Sequence, residues 1–208
     1  MSTFNSTNTA WHQYTGTPTT NATAGWSRDR LFDLTAQHFD KFVPVQPKGS
    51  RGKDGKPADK QPWGGYSSRN NVDADTARGL MASHNINVGA LPTVDGNMVA
   101  VDADTRDAVD AFSAWMVDTY GYPVVPTVLT PGVYEDAAGG ALKDGHTGGA
   151  HVWCKSPVSV ASLFPEGART PAAKPGTDGW DVKFGGSYVL APPSERAEGA
   201  YTPVMVDG

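Results

Sequence analysis

Asp102 and Asp104 stand two apart at the end of the apolar run Met98-Val99-Ala100-Val101. A short continuous apolar run reads as a buried strand. On a strand, that spacing turns both carboxylates to one face. Carboxylates this close repel unless something positive lies between them. A hard divalent cation with oxygen ligands, Mg2+ or Mn2+, is the usual partner. The bland alternative has Asp102 beginning a turn and Asp104 capping the following helix, and a lone Asp-x-Asp favours it. By the repulsion argument, deleting one of the pair should leave the fold intact or even strengthen it.

Two further groups change the balance. Gly148-Gly149-Ala150-His151 is a glycine-rich turn feeding a strand that carries a histidine. Asp181-Val182-Lys183 sets an acid and a base two apart at the start of another strand. Alone, His151 reads as a hydrogen-bonded core histidine and Asp181 as a turn residue. Together they add a third carboxylate to a metal site, with His151 and Lys183 suited to holding a triphosphate. Gly148 and Gly149 let backbone approach phosphate with no side chain between. Trp153 and Trp180, beside these groups, read as core packing rather than base-stacking platforms.

The elements that position these residues alternate irregularly. Ser27 is placed to cap a helix over 28–40, and a second helix is expected over 73–83. Phe42–Val45, Asn85–Gly89 and Ala150–Cys154 read as strands, and Val124–Leu129 as strand-like. Thr105–Tyr120 has apolar residues at helical spacing and is stopped by Gly121 and Pro123. Trp180–Phe184 and Ser187–Ala191, around Gly185-Gly186, predict a β-hairpin. Residues 157–179 read as irregular with one short helix. No strict strand–helix–strand rhythm appears, so the expected fold class is α+β, with a mixed or antiparallel sheet flanked by helices. Residues 1–26 are polar and read as a loosely ordered lead-in to one domain over 27–208.

Composition bounds the rest. The 208 residues suit one good-sized α/β-containing domain or two small ones, and 24 glycines with 16 prolines imply many turns. One cysteine, Cys154, excludes a disulfide framework and a cysteine-rich zinc site, and fits a reducing, cytoplasmic compartment. No apolar run approaches a membrane span. The net charge of −5 is unevenly spread. Lys41, Lys48, Arg51, Lys53, Lys56, Lys60 and Arg69 face only Asp54 and Asp59 within residues 41–70, whereas residues 71–145 are strongly acidic. A basic arm beside an acidic centre suits a metal-dependent enzyme acting on a polyanion, and equally a solvated loop beside an acidic surface. The arm, residues 46–65, has almost nothing apolar to bury and reads as a mobile loop.

The ordered series resembles the archaeo-eukaryotic primase superfamily, and within it the bifunctional primase-polymerase (prim-pol) domains of phage and plasmid replication proteins. The residues carrying the resemblance begin with Val43-Pro44, Gly52-Lys53, Lys56-Pro57 and Asn85-Ile-Asn-Val-Gly89. They continue through Val99-Ala-Val-Asp-Ala-Asp104 and Thr147-Gly-Gly-Ala-His151-Val-Trp153. They close with Gly179-Trp-Asp181-Val-Lys183, Pro192-Pro-Ser194 and Gly199-Ala-Tyr201. The resemblance implies a DNA primase/polymerase with Asp102, Asp104 and Asp181 as catalytic, metal-binding carboxylates on Mg2+ or Mn2+, and no zinc. It implies His151 and Lys183 at the triphosphate of the incoming nucleotide. Lys53 and Lys56 fall in a basic segment near substrate, for DNA or triphosphate contact. DNA template and primer, with dNTP or alternatively NTP, are the implied partners. A helicase domain is expected in a longer chain of which this is a piece. The loop Pro131–Thr147 is longer than the family's usual turn, which leaves Lys143 and His146 without a part.

Other classes compete. A metal-dependent nuclease uses the same carboxylates but has no need of the Gly-Gly-x-His element. A non-catalytic DNA-binding module explains the basic arm and leaves the acidic constellation unexplained.

Overall fold

Three helices begin where the chain offers a short polar side chain. The computed structural model describes residues 18–19, 23–121, 123–131, 148–163 and 179–206. In α1 (Arg28–Ala36) Ser27 caps the first turn by accepting from Arg30 N. Asp73 does the same for α2 (Ala74–His84), and Thr105 for α3 (Arg106–Tyr120). Gly121 closes α3 at φ 85°, a left-handed conformation that glycine adopts without a Cβ penalty. Asn85, expected to open a strand, instead closes α2 at φ 51°. Helix α1 stops short of the predicted 28–40, because Phe39 turns inward to meet Trp153 edge-on at 4.9 Å. A fourth helix, α4 (Val160–Leu163), is one turn long.

The larger sheet is antiparallel and runs β11-β5-β6-β4-β7. Its strands are β4 (Met98–Thr105), β5 (Val128–Leu129), β6 (Gly148–Lys155), β7 (Trp180–Lys183) and β11 (Thr202–Pro203). The second sheet is β2-β3-β8, from β2 (Phe42–Val45), β3 (Asn87–Ala90) and β8 (Val189–Leu190), again antiparallel. Small ribbons join β1 (Pro18–Thr19) to β12 (Met205–Val206), and β9 (Glu195–Arg196) to β10 (Gly199–Ala200). Among the described residues every strand pair is antiparallel, and the α+β expectation holds. Part of the expected N-terminal lead-in thus pairs with the last strand. Residues 1–17 and 20–22 lie outside the described residues, as do Lys143 and His146.

Alternation along β4 divides the core. Val101 and Ala103 join Ala108, Val109 and Phe112 of α3, with Ala150, Val152 and Trp180. Met98 and Ala100 point the other way, into a cluster with Phe32, Ala77, Met81 and Val88 from α1, α2 and β3. Trp153 packs beside this second cluster and Trp180 belongs to the first, so both serve as core side chains. All four residues of β2 and of β3 are buried, as their near-continuous apolar runs suggest.

Two further expectations fail. Trp180–Phe184 and Ser187–Ala191 do not pair as a hairpin. β7 adds to the free edge of β4, while β8 adds to the free edge of β3 in the other sheet. Between them Phe184 is fully buried and Gly185 N donates to Pro92 O at 2.9 Å, which carries the chain across the gap. Two glycines between apolar runs serve either geometry, and only the open strand edges decide.

The basic arm is not a loop with nothing to bury. Val45 bridges to Pro62, Arg51 bridges to Pro57, and Ala58 and Asp59 are buried. Backbone bonds from Gln46 N to Gln61 O and from Ala58 N to Ser50 O tie it down.

Candidate active site

The β4 ladders set three functional side chains in one row. Asp102 pairs with His151 on β6 to one side and with Asp181 on β7 to the other. Directly opposed residues project from the same face of a sheet, so His151, Asp102 and Asp181 stand abreast. Asp104, two residues on, and Lys183, opposite Ala100, share that face. Gly179, at φ 75° before β7, lies against the first turn of α3, and its carbonyl accepts a hydrogen bond from Asp104 N at 3.3 Å.

The charges interlock. His151 Nε2 lies 3.3 Å from Asp102 Oδ1, and Lys183 Nζ lies 3.7 Å from Asp102 Oδ2 and 3.3 Å from Asp181 Oδ2. Burial alone would raise the Asp102 carboxyl. The hydrogen bond and charge of His151, with the charges of Lys183 and Lys60, outweigh it and hold the group at about 2. The repulsion expected of the aspartate pair is therefore overridden, and deleting Asp102 would take away a partner shared by His151 and Lys183.

His151 is 3% exposed and its ring stacks on Tyr201 at 5.7 Å. Its Nδ1 is buried and has no hydrogen-bond partner among the described residues. Burial pushes the Tyr201 hydroxyl well above its ordinary range, so it stays protonated.

These groups open on a cleft of ≈ 210 Å3 lined by Asp102, Asp104 and His151. Lys60, Arg196 and Tyr201 close its other sides, with Thr130, Pro131 and the Tyr188–Leu190 segment. Asp181 and Lys183 adjoin it through Asp102 rather than lining it. Lys53 and Lys56 do not line it. Both are exposed, and Lys56 pairs with Asp54 at 3.7 Å. Gly148 pairs with Thr105 at the end of β4. A Cβ on Gly149 would lie 2.6 Å from Asp104 O and 2.7 Å from Ala103 O, so its bareness serves strand packing directly.

Sequence reading placed Lys60 only among the cations of the basic arm, expected as a group to attract template or triphosphate, did not single out Arg196, and left Tyr201 as a motif residue without a part. Arg196 Nε lies 3.2 Å from Asp59 Oδ1, and its Nη2 lies 2.8 Å from Glu198 Oε1. The only available signal was a lysine in the basic arm.

The donor set is chemically right for a hard divalent cation, since three carboxylates share one sheet face. As the side chains stand, no three His, Cys, Asp or Glu among the described residues converge closely enough to hold one. The ammonium of Lys183 stands between Asp102 and Asp181 and engages both. Its flexible stem can turn out of that place without moving either strand.

The family model that matches the chain is described as Prim-Pol, bifunctional DNA primase/polymerase, N-terminal, and it covers residues 31–206. No curated protein and no solved structure gives a match.

Proposed function

The chain belongs to the Prim-Pol family of bifunctional DNA primase/polymerase N-terminal domains, and from that premise we propose that it extends a DNA primer by template-dependent nucleotidyl transfer in phage or plasmid replication. One observation carries the assignment of the site: the row His151–Asp102–Asp181 across β6, β4 and β7, with Asp104 beyond it at the cleft. Asp102, Asp104 and Asp181 are the residues that would hold Mg2+ or Mn2+ in a two-metal arrangement. Bound there, such cations supply activation of the primer 3′-hydroxyl and neutralisation of the leaving pyrophosphate.

The chain's own part is placement and charge. β4 is flanked by β6 on one side and β7 on the other, and this central place in the sheet fixes Asp102 between His151 and Asp181, so the carboxylate is preorganised. His151, buried beside Asp102, holds that carboxylate from one side. Lys183 holds it from the other and, turned outward, puts its ammonium beside the cleft for triphosphate. Gly149 brings β6 close under Asp104. Lys53 and Lys56, exposed on the outer turn of the basic arm, suit DNA backbone rather than the triphosphate. The natural partners are a primed DNA template and dNTP, with a helicase domain in the longer chain.

Primer extension tests this. With labelled dNTPs, a primed template and Mn2+ or Mg2+, the purified chain should lengthen the primer in a template-dependent way. Absence of incorporation with either metal, while a control polymerase extends the same substrate, overturns the reading.

A further inference from the structure

A buried carboxylate at the base of a polar loop needs a reason, because desolvating it costs free energy unless it is paired. Asp59 is 2% exposed, and Arg196 Nε pairs with it at 3.2 Å. One residue on, the Lys60 carbonyl accepts a hydrogen bond from Tyr188 Oη at 2.7 Å. Ala58, one residue before Asp59, is buried as well. The backbone of Lys60 is thus fixed from the preceding residue and from its own carbonyl, while its side chain is exposed and lines the cleft with Asp102, Asp104 and His151.

Three other cations of the arm are engaged elsewhere, and Lys53 does not line the cleft. Lys48 pairs with Glu195, Lys56 with Asp54, and Arg51 donates to Gly55 O. Among the described residues no carboxylate lies within ion-pair distance of Lys60. A lysine held at the lip of a cleft whose floor is acidic is arranged to meet an anion that enters between the two. A phosphate chain is that kind of anion, since its charge is carried on several oxygens that a point-charge ammonium meets from any direction.

We propose that Lys60 binds phosphate in this cleft, contacting the triphosphate of the incoming nucleotide, and that Asp59, Arg196 and Tyr188 are positioning residues that set it there. This rests on the nucleotidyl-transfer reading for the identity of the ligand, and on geometry alone for the phosphate site.

The test measures binding and turnover separately. Tripolyphosphate and dATP are titrated calorimetrically into wild type, K60A, K60R and Y188F. Primer-template affinity is read by fluorescence anisotropy, and KM and kcat by primer extension. K60A should weaken tripolyphosphate and dATP binding and raise the dATP KM by about 5- to 20-fold. Its DNA affinity should stay within about twofold of wild type, K60R should recover most of the loss, and Y188F should fall between. A loss of DNA affinity with unchanged triphosphate binding overturns the proposal and makes Lys60 a contact to template or primer phosphate. Unchanged binding of every ligand overturns it too. If wild type fails to incorporate dNTP, the polymerase reading falls, and the tripolyphosphate titration still decides Lys60.

Discussion

His151 stands directly opposite Asp102 in the β4–β6 ladder, and its Nε2 lies 3.3 Å from Asp102 Oδ1. The contact lies beside the carboxylate on the same sheet face, with the imidazole buried against Tyr201. Lys183 approaches the other oxygen. Asp102 is therefore an acid held ionised by its surroundings, which makes its charge a contribution to the fold as well as to the site.

That contribution has a definite pH window. The Asp102 pKa is about 2 in the folded chain against 3.8 ordinarily, so its stabilisation is complete above about pH 4 and is lost as pH falls through 2. Asp102→Asn keeps the shape and removes the charge. In urea melts it should cost about 1–2 kcal/mol at pH 6, allowing for the side chain's partial exposure, and almost nothing at pH 2. A cost that does not shrink toward pH 2 would mean that shape, not charge, holds this row together.

Lys183 offers a sign that is easy to mistake. Its ammonium engages Asp102 and Asp181, so a divalent cation entering among the carboxylates must displace it. Lys183→Met should raise Mn2+ affinity in the absence of nucleotide by roughly threefold to tenfold, because a competing positive charge has gone. The same variant should weaken dNTP binding. Asp181→Ala should instead lower Mn2+ affinity. Calorimetric titration of Mn2+ separates them, and a loss of Mn2+ binding in Lys183→Met would show that the lysine organises the carboxylates rather than competing for them.

Cys154 packs beside the Val101–Val152 cluster, and burial pushes its thiol up to about 11. At pH 8 only about one thiol in a thousand is ionised, and thiolate is the reactive form. An aromatic disulfide reagent should modify native chain at least about 100-fold more slowly than chain in urea. Comparable rates in the two states would place β6 on the surface, contrary to the ladder that positions His151.

The carboxylate row was legible in the sequence because each member sits on a short apolar strand, where local pattern fixes which face a side chain takes. The caps Ser27, Asp73 and Thr105 were legible in the same local way, although only Ser27 was read as one. What was not legible is long-range. Nothing in Gly185-Gly186 says that the chain crosses between two open strand edges instead of turning back on itself. Nothing near Lys60 says that Arg196 and Tyr188, far along the chain, pin the arm at the cleft. The burial of His151 belongs to the same class, since Tyr201, which covers it, comes from far along the chain.

Gly149 separates two explanations that the motif alone confounds. If the glycine exists so that backbone can approach phosphate, Gly149→Ala should leave stability unchanged and raise the KM for dNTP. The structure gives it a prior duty. An added Cβ would lie 2.6 Å from Asp104 O, 2.7 Å from Ala103 O and 2.7 Å from Thr130 Oγ1. The threonine hydroxyl can rotate away, but the two carbonyls are backbone of β4 and cannot move without shifting the strand that carries Asp102 and Asp104. Gly149→Ala should therefore destabilise the fold by about 1–3 kcal/mol, as overpacking does elsewhere. It should also lower kcat, because the displaced atoms lie next to the carboxylates. Denaturant midpoints with matched slopes give the first quantity and saturating-dNTP extension gives the second. A stable variant with a KM defect alone would return Gly149 to the phosphates.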